Sequence, residues 1–118
     1  MISGYGPSDN GTRNDGINIA VLRGASVRAA ENGVVVYAGS ELKGFGNLLL
    51  IKHDGGWMTA YAHNDSLEVE KGQVVKKGQV IAKAGQTGNV STPQLHFEVR
   101  KGSGPVNPLD YMEKSASK

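Results

Sequence analysis

A chain of 118 residues with 38% hydrophobic and 20% charged residues has the size and composition of one globular domain. The formal net charge is only +2 and the basic residues are spread along the chain, which argues against a nucleic-acid binder. Without cysteine there are no disulfides and no thiolate chemistry, and without 18 consecutive apolar residues no transmembrane helix is predicted.

Seventeen glycines, about twice the usual share of ~7%, separate runs of Val, Ile and Leu and predict tight turns between short strands. The first such runs lie within Val27–Ala38, on either side of Asn32-Gly33. Because Asn-Gly favours a type I′ turn, this segment is predicted to be a hairpin. A second hairpin is predicted from the strand Asn47–His53, the turn "DGG" and the returning strand Trp57–His63.

The C-terminal half continues the pattern of short strands. Two apolar runs lie within Val74–Ala84, and residues 85–93, "GQTGNVSTP", predict a loop. Leu95–Arg100 alternates strictly between apolar and polar residues, as a half-buried strand does. Residues 107–112 are predicted to form one helical turn with Asn107 as its cap. The predicted fold class is therefore all-β: an antiparallel β-sandwich or partly open barrel with short glycine-rich turns.

Three histidines are the first candidates for chemistry: His53, His63 and His96. A single histidine in a strand is more often structural or exposed than catalytic, so none of the three carries an argument alone. His53, in "IKHDGG", is expected to be an exposed turn residue.

Several motifs together are much more specific. The segments "NDGIN", "TAYAH", "QLHFEVR" and "GFGNLLLIKHDGGW" resemble a LytM domain, the fold of the M23 peptidases, in order and spacing from about Tyr5 to Tyr111. The resemblance implies a LytM domain over residues 1–113 and leaves residues 114–118 as a flexible tail. It also implies a zinc endopeptidase of bacterial peptidoglycan, with a His-x-x-x-Asp motif, a Tyr-x-His segment and a His-x-His motif.

Carried over residue by residue, the pattern of this family is broken. Asn14 stands where the first zinc histidine is expected, and Asn18 stands where the zinc aspartate is expected. Gln94 replaces the first histidine of His-x-His. His63 matches the catalytic histidine, and His96 matches the third zinc ligand. Because an amide oxygen is a weak ligand for zinc, we expect no metal, no cofactor and no catalysis.

Neighbouring residues are not expected to restore the metal site. Asp15 should point to the opposite face of its strand from Asn14. Asp9 lies in a loop, and His53 is expected across a turn from the site. Asn14 and Asn18 could instead be ordinary turn residues, but three replacements in register within one site favour loss of the reaction.

Degenerate LytM domains resemble a group of division factors typified by NlpD, EnvC and DipM, and "GTRNDGINI" is most similar to DipM. The resemblance implies a periplasmic regulator at the Gram-negative division site, cut from a longer protein whose targeting segment is not in this chain. It would bind and activate peptidoglycan hydrolases such as N-acetylmuramoyl-L-alanine amidases. A passive peptidoglycan-binding or scaffold module and an active zinc endopeptidase are the alternatives.

The surface expected to bind the partner is the old peptidase groove. Its predicted lining comprises Asn14, Asn18, His63, Gln94 and His96. The loops at residues 8–13 and 43–46 are expected to determine which partner binds.

Overall fold

The computed structural model describes residues 2–7, 11, 13–102 and 104–110. Within them the chain is almost entirely β-structure, with one helical turn at residues 108–110. No helix in this part of the chain is long and apolar enough to cross a membrane. The strands are β1 Gly6–Pro7, β2 Arg13–Asn14, β3 Ile17–Ala20, β4 Ser26–Arg28, β5 Gly33–Gly39, β6 Asn47–Lys52, β7 Trp57–Leu67, β8 Val74–Val75, β9 Val80–Ala84, β10 Gln94–Lys101 and β11 Gly104–Val106.

Nine strands form one antiparallel sheet in the order β11-β10-β7-β6-β5-β8, with β3 added to β10 and the β4-β9 pair added to β7. The remaining strands, β1 and β2, form a separate two-stranded ribbon. The sheet does not close on itself, since β11 and β8 are its two ends. The all-β, antiparallel, open architecture predicted from the sequence is confirmed.

The long strand β7 changes neighbours at His63. Trp57 to Ala62 pair with β10, whereas Asn64 to Leu67 pair with β9. His63 is the one non-glycine residue with positive φ, 69°, in the described part of the chain. A left-handed backbone conformation is costly for a residue with a side chain. The change of neighbours along β7 therefore places backbone strain at His63, one of the residues predicted to line the groove.

The core lies under the sheet and is formed by inward-facing strand residues. Ile17, Leu49, Ile51, Tyr61 and Ile81 are each exposed by at most 1%. Complete burial of one such side chain contributes roughly 1.5–3 kcal/mol. This packing holds β3, β6, β7 and β9 together.

The second predicted hairpin is confirmed. β6 and β7 pair with Lys52 opposite Met58, and the backbone N–H of His53 donates to the carbonyl of Trp57 at 2.8 Å. Gly55 and Gly56 have φ values of 82° and 81°, which only glycine adopts freely.

The first predicted hairpin is wrong. β4 pairs with β9, and β5 pairs with β6 and β8, so the two halves of Val27–Ala38 are not partners. Gly33 does not have positive φ; it is needed because a Cβ there would lie 2.5 Å from the carbonyl oxygen of Lys52. The side-chain oxygen of Asn32 accepts instead from the backbone N–H of Lys77 at 2.8 Å, a contact 45 residues away.

The expectation that His53 is exposed is also wrong, since it is 7% exposed. Its Nδ1 lies 2.7 Å from the carbonyl of Asn32, and its Nε2 lies 2.8 Å from Oγ1 of Thr59. Thr59 Oγ1 lies 2.7 Å from the hydroxyl of Tyr61, which accepts from the backbone N–H of Ala30. His53 therefore has a structural role in linking two strands to the connection between β4 and β5.

The predicted helical turn is present over residues 108–110, and the backbone N–H of Leu109 donates to Oδ1 of Asn107 at 3.1 Å. The continuation to residue 112 and the predicted tail at residues 114–118 lie outside the described residues.

Candidate functional site

The antiparallel pairing of β3 with β10 creates the site. Asn18 is directly opposite His96, and His96 is in turn opposite Ala62 on β7. His63 follows Ala62, and Asn14 ends β2 just before the turn into β3. Thus the structure brings all five predicted residues into one region, although they come from four different strands.

The three carboxamides of this region form one continuous hydrogen-bonded chain. Nδ2 of Asn14 donates to Oδ1 of Asn18 at 2.9 Å, and Nδ2 of Asn18 donates to Oε1 of Gln94 at 2.8 Å. Nε2 of Gln94 donates to the carbonyl oxygen of Thr92 at 3.3 Å. At the other end, Oδ1 of Asn14 accepts from the backbone N–H of Gly16 at 3.0 Å.

The two backbone groups at its ends determine the direction of this amide chain. A backbone N–H can only donate and a carbonyl can only accept, so the oxygen of Asn14 must face Gly16 and the nitrogen of Gln94 must face Thr92. Asn18 between them then has only one orientation that satisfies both neighbours. The carboxamide orientations follow from the network as a whole.

His96 is buried, at 8% exposure, and both of its ring nitrogens face acceptors. Nδ1 lies 3.0 Å from Oδ1 of Asn18, and Nε2 lies 2.8 Å from Oε2 of Glu98. Nε of Arg100 donates to the other oxygen of Glu98 at 2.9 Å. Burial alone would raise the pKa of Glu98, but His96 and Arg100 outweigh it and hold this pKa below its ordinary value.

His63 is oriented by the loop that precedes β10. Its Nδ1 lies 2.8 Å from the carbonyl oxygen of Thr87, so Nδ1 carries the hydrogen and Nε2 has a free lone pair. Burial is the main reason that the pKa of His63 is lowered, and the nearby His96 adds to the effect. The two imidazole rings are 6.2 Å apart between centroids.

Zinc does not fit the residues at this site. The three polar atoms where ligands are expected are Asn14 Nδ2, Asn18 Oδ1 and His96 Nδ1, separated by 2.9 and 3.0 Å. Ligands bound at ~2.0–2.1 Å in a tetrahedron lie about 3.3 Å apart, so the spacing is nearly that of a metal site. But Asn18 Oδ1 already accepts from Asn14 and faces His96, and hydrogen bonds therefore fill the position a metal would take.

No replacement ligand set is present. Among the residues the structure describes, no three His, Cys, Asp or Glu side chains are grouped so that they could hold a metal ion. Asp15 faces Arg13 at 3.4 Å and Arg100 at 4.0 Å. His53 is not at the site, because its ring contacts Thr59, which lies four residues from His63 along β7, about 13 Å at ~3.3 Å per residue. Asp9 is outside the described residues.

A groove of about 550 Å³ opens beside the amide chain. Four of the five predicted residues line it; Asn14 instead lines a neighbouring cavity of about 390 Å³ together with Tyr5 and Arg13. The lining residues are Ser3, Asn18, Lys43, Gly44, Phe45, His63, Asn89, Val90, Ser91, Gln94 and His96. The loop at residues 43–46 is a wall of the groove, as predicted, whereas most of the loop at residues 8–13 is not described.

Sequence reasoning missed the second wall, which is the loop at residues 85–93. It is fastened to the first wall by the backbone N–H of Asn89, which donates to the carbonyl of Gly44 at 3.0 Å. Gly88 has φ of 86°, and a Cβ there would lie 2.5 Å from the same carbonyl oxygen. The backbone N–H of His63 donates to the carbonyl of Phe45 at 2.8 Å. Closely spaced glycines in both loops were the available signal for this contact.

Comparison with known proteins supports the resemblance. Residues 12–108 match the model of peptidase family M23. The chain is 48% identical over 112 residues to the murein hydrolase activator NlpD of Escherichia coli, covering 95% of this chain and 29% of that protein. It is 47% identical over 100 residues to the cell division protein DipM of Caulobacter vibrioides, covering 85% of this chain and 16% of that protein.

The fold matches that of an active enzyme as well. The catalytic domain of the antimicrobial peptidase lysostaphin from Staphylococcus simulans superimposes with a TM-score of 0.85 at 31% identity, covering 93% of this chain and 89% of that domain. The chain spans less than a third of the length of either curated relative. Its sequence identities to NlpD and DipM are nearly equal, so it is related to both. By fold, by sequence and by the extent of the family match, this chain is a member of peptidase family M23, of the NlpD and DipM kind.

Proposed function

We propose that the domain binds peptidoglycan hydrolases and activates them without hydrolysing peptidoglycan itself. The observation that carries this proposal is the amide chain: hydrogen bonds among Asn14, Asn18 and Gln94 occupy the ligand positions while the groove beside them stays open. The names of the relatives, a murein hydrolase activator and a cell division protein, support the same role.

The chemistry of the site explains why binding would replace catalysis. A zinc peptidase needs a metal-bound water of lowered pKa as its nucleophile. Here Asn18 Oδ1 is engaged by Asn14 and His96, and no step through a metal is available to these residues. A segment of a partner hydrolase that binds in the groove would shift that partner towards its active state, by no more than the difference in affinity between its two states.

The partners we propose are N-acetylmuramoyl-L-alanine amidases or related wall hydrolases. Because peptidoglycan lies outside the cytoplasmic membrane, the domain would act in the periplasm of a Gram-negative cell. The relative that is named a cell division protein favours the division site.

Release of dye from labelled sacculi by a purified amidase, with and without this domain, tests the proposal. We expect dose-dependent stimulation of the amidase and no release by the domain alone, in the presence of either zinc or EDTA. Release by the domain alone that EDTA abolishes would show an active zinc endopeptidase and would contradict the proposal.

An open polar groove would also accommodate a peptide of the cell wall, so a passive peptidoglycan-binding module is the second candidate. It predicts that the domain sediments with purified sacculi and leaves the rate of every amidase unchanged. Stimulation of an amidase in solution on a soluble substrate would exclude it.

A further inference from the structure

Among the described residues that line the groove, Lys43 has the one side chain with a permanent charge. Lys43 is exposed at the mouth of the groove, and no carboxylate is among the residues that line it. The other lining residues have amide, hydroxyl, imidazole or apolar side chains or are glycine. A ligand that enters the groove therefore meets the positive charge of Lys43.

The acidic groups described near the site do not compensate this charge, because two of them are paired elsewhere and a third lies outside the groove. Glu98 is bound by His96 and Arg100 beneath the groove. Asp15 faces Arg13 and Arg100. Glu41 shares the loop of Lys43 but does not line the groove, and among the described residues no carboxylate lies within ion-pair distance of Lys43.

The groove also offers one oriented acceptor. Because Nδ1 of His63 is held by the carbonyl of Thr87, its Nε2 can only accept a hydrogen bond when the ring is neutral. Nε2 has no hydrogen-bond partner among the described residues. Because it is not completely buried and His63 lines the groove, this nitrogen is accessible from the groove.

We propose that the groove recognises an acidic segment of the partner hydrolase, with an Asp or Glu carboxylate at Lys43 and an N–H or O–H group donating to Nε2 of His63. This inference rests on the function proposed above and names the chemistry of the segment that binds. Charge complementarity favours a carboxylate over any other side chain at Lys43, and the free lone pair selects a donor beside it.

Charge reversal at Lys43 tests the proposal in the amidase assay. Lys43→Glu should raise the concentration of domain needed for half-maximal stimulation by about tenfold or more, Lys43→Arg should preserve it, and raising the salt concentration should weaken the wild type. Lys76→Glu is the matched control, since it makes the same change of net charge at an exposed residue outside the groove. Replacing the Asp and Glu residues of the amidase by Lys, one at a time, should identify one replacement that restores stimulation by the Lys43→Glu domain.

Each outcome has a separate meaning. If the wild-type domain stimulates the amidase and Lys43→Glu behaves like Lys76→Glu, the acidic segment is excluded and the proposed function stands. If no replacement in the amidase rescues Lys43→Glu, and this variant instead loses its binding to sacculi, the carboxylate belongs to the cell wall and the proposal is wrong. If the wild-type domain stimulates no hydrolase, the proposed function fails and the inference fails with it.

Discussion

Asparagine and aspartate differ by one atom at position 18, yet the atom changes what the site can hold. A carboxylate would accept from Asn14 but could not donate to Gln94, so the amide chain requires the nitrogen of Asn18. His96, which still has the ligand type that zinc prefers, is left with an amide oxygen at 3.0 Å. Thus neighbouring ligand positions lie 2.9 and 3.0 Å apart, but only His96 offers a ligand type that zinc prefers.

This geometry predicts that zinc binding can be restored. Asn14→His combined with Asn18→Asp should bind zinc stoichiometrically in calorimetry, because with His96 it would supply two imidazoles and a carboxylate at adjacent positions. Asn18→Asp alone is the control and should bind at least tenfold more weakly, about 1.4 kcal/mol or more, since it supplies one ligand fewer.

The same experiment tests the assignment of the ligand positions. Adding His96→Ala to the double variant should abolish zinc binding. A double variant that folds normally and takes up no zinc would mean that Asn14 and Asn18 are not at the ligand positions. Hydrolytic activity is not expected without Gln94→His as well.

At the scale of elements, the groove is made by two loops that contact each other through glycines. A Cβ at Gly88 would meet the backbone of both Gly44 and Gly46, at 2.5 and 2.6 Å. The loops cannot separate without losing the hydrogen bond between Asn89 and Gly44. The walls are therefore positioned by backbone contacts between the two loops.

Gly88→Ala should destabilise the domain by about 2–4 kcal/mol, since it combines left-handed strain with an overlap against backbone atoms. Gly78→Ala provides the matched comparison: φ is 82° there too, but nothing lies within 4 Å of the added Cβ, so only the strain of ~1–2 kcal/mol remains. Urea unfolding followed by Trp57 fluorescence measures both. Equal losses of stability in the two variants would show that the loops are not in contact as described.

Local patterns could be predicted from the sequence, and long-range partners could not. The hairpin of β6 and β7 was predictable because its two strands and turn are adjacent in the chain. The prediction of a hairpin at Asn32-Gly33 was wrong because β4 pairs with β9, about 55 residues away along the chain. No local motif indicates that such a distant strand competes for β4. His53 looked exposed for the same reason, since its partners Asn32 and Thr59 lie in other elements.

For the candidate site too, the positions of the residues could be predicted from the sequence, but their long-range contacts could not. The positions of Asn14, Asn18, His63, Gln94 and His96 followed from the family resemblance. The hydrogen bond between Asn18 and Gln94 spans 76 residues and depends on side-chain orientations that only the folded structure determines. The three amide residues at these positions could be read from the sequence, but the hydrogen-bonded chain that they form could not.

For the molecule as a whole, two buried titratable groups should make stability fall as the pH falls. The pKa of His63 is lowered, so below about 6.5 the unfolded chain takes up a proton before the folded one does, and stability decreases until the folded pKa is reached. The pKa of Glu98 is lowered too, so its contribution is complete above the ordinary glutamate range and is lost as the pH falls through the folded pKa.

Urea midpoints measured between pH 8 and pH 3 should therefore decline in two separate steps. His63→Gln should remove most of the upper step, and Glu98→Gln should remove most of the lower one. A wild-type profile that is flat from pH 8 to pH 5 would contradict the assignment for His63, and an unchanged lower step in Glu98→Gln would contradict that for Glu98.

The amide chain between Gly16 and Thr92 has one further consequence, because its direction is imposed from both ends. No carboxamide in it can rotate by half a turn without breaking a hydrogen bond to a neighbouring amide or to the backbone at the ends, so Asn14, Asn18 and Gln94 should open as a single cooperative unit. Their side-chain protons should exchange with solvent at similar, slow rates. In a metal centre a single ion connects the ligands. Here a series of hydrogen bonds with one fixed direction connects Asn14, Asn18 and Gln94.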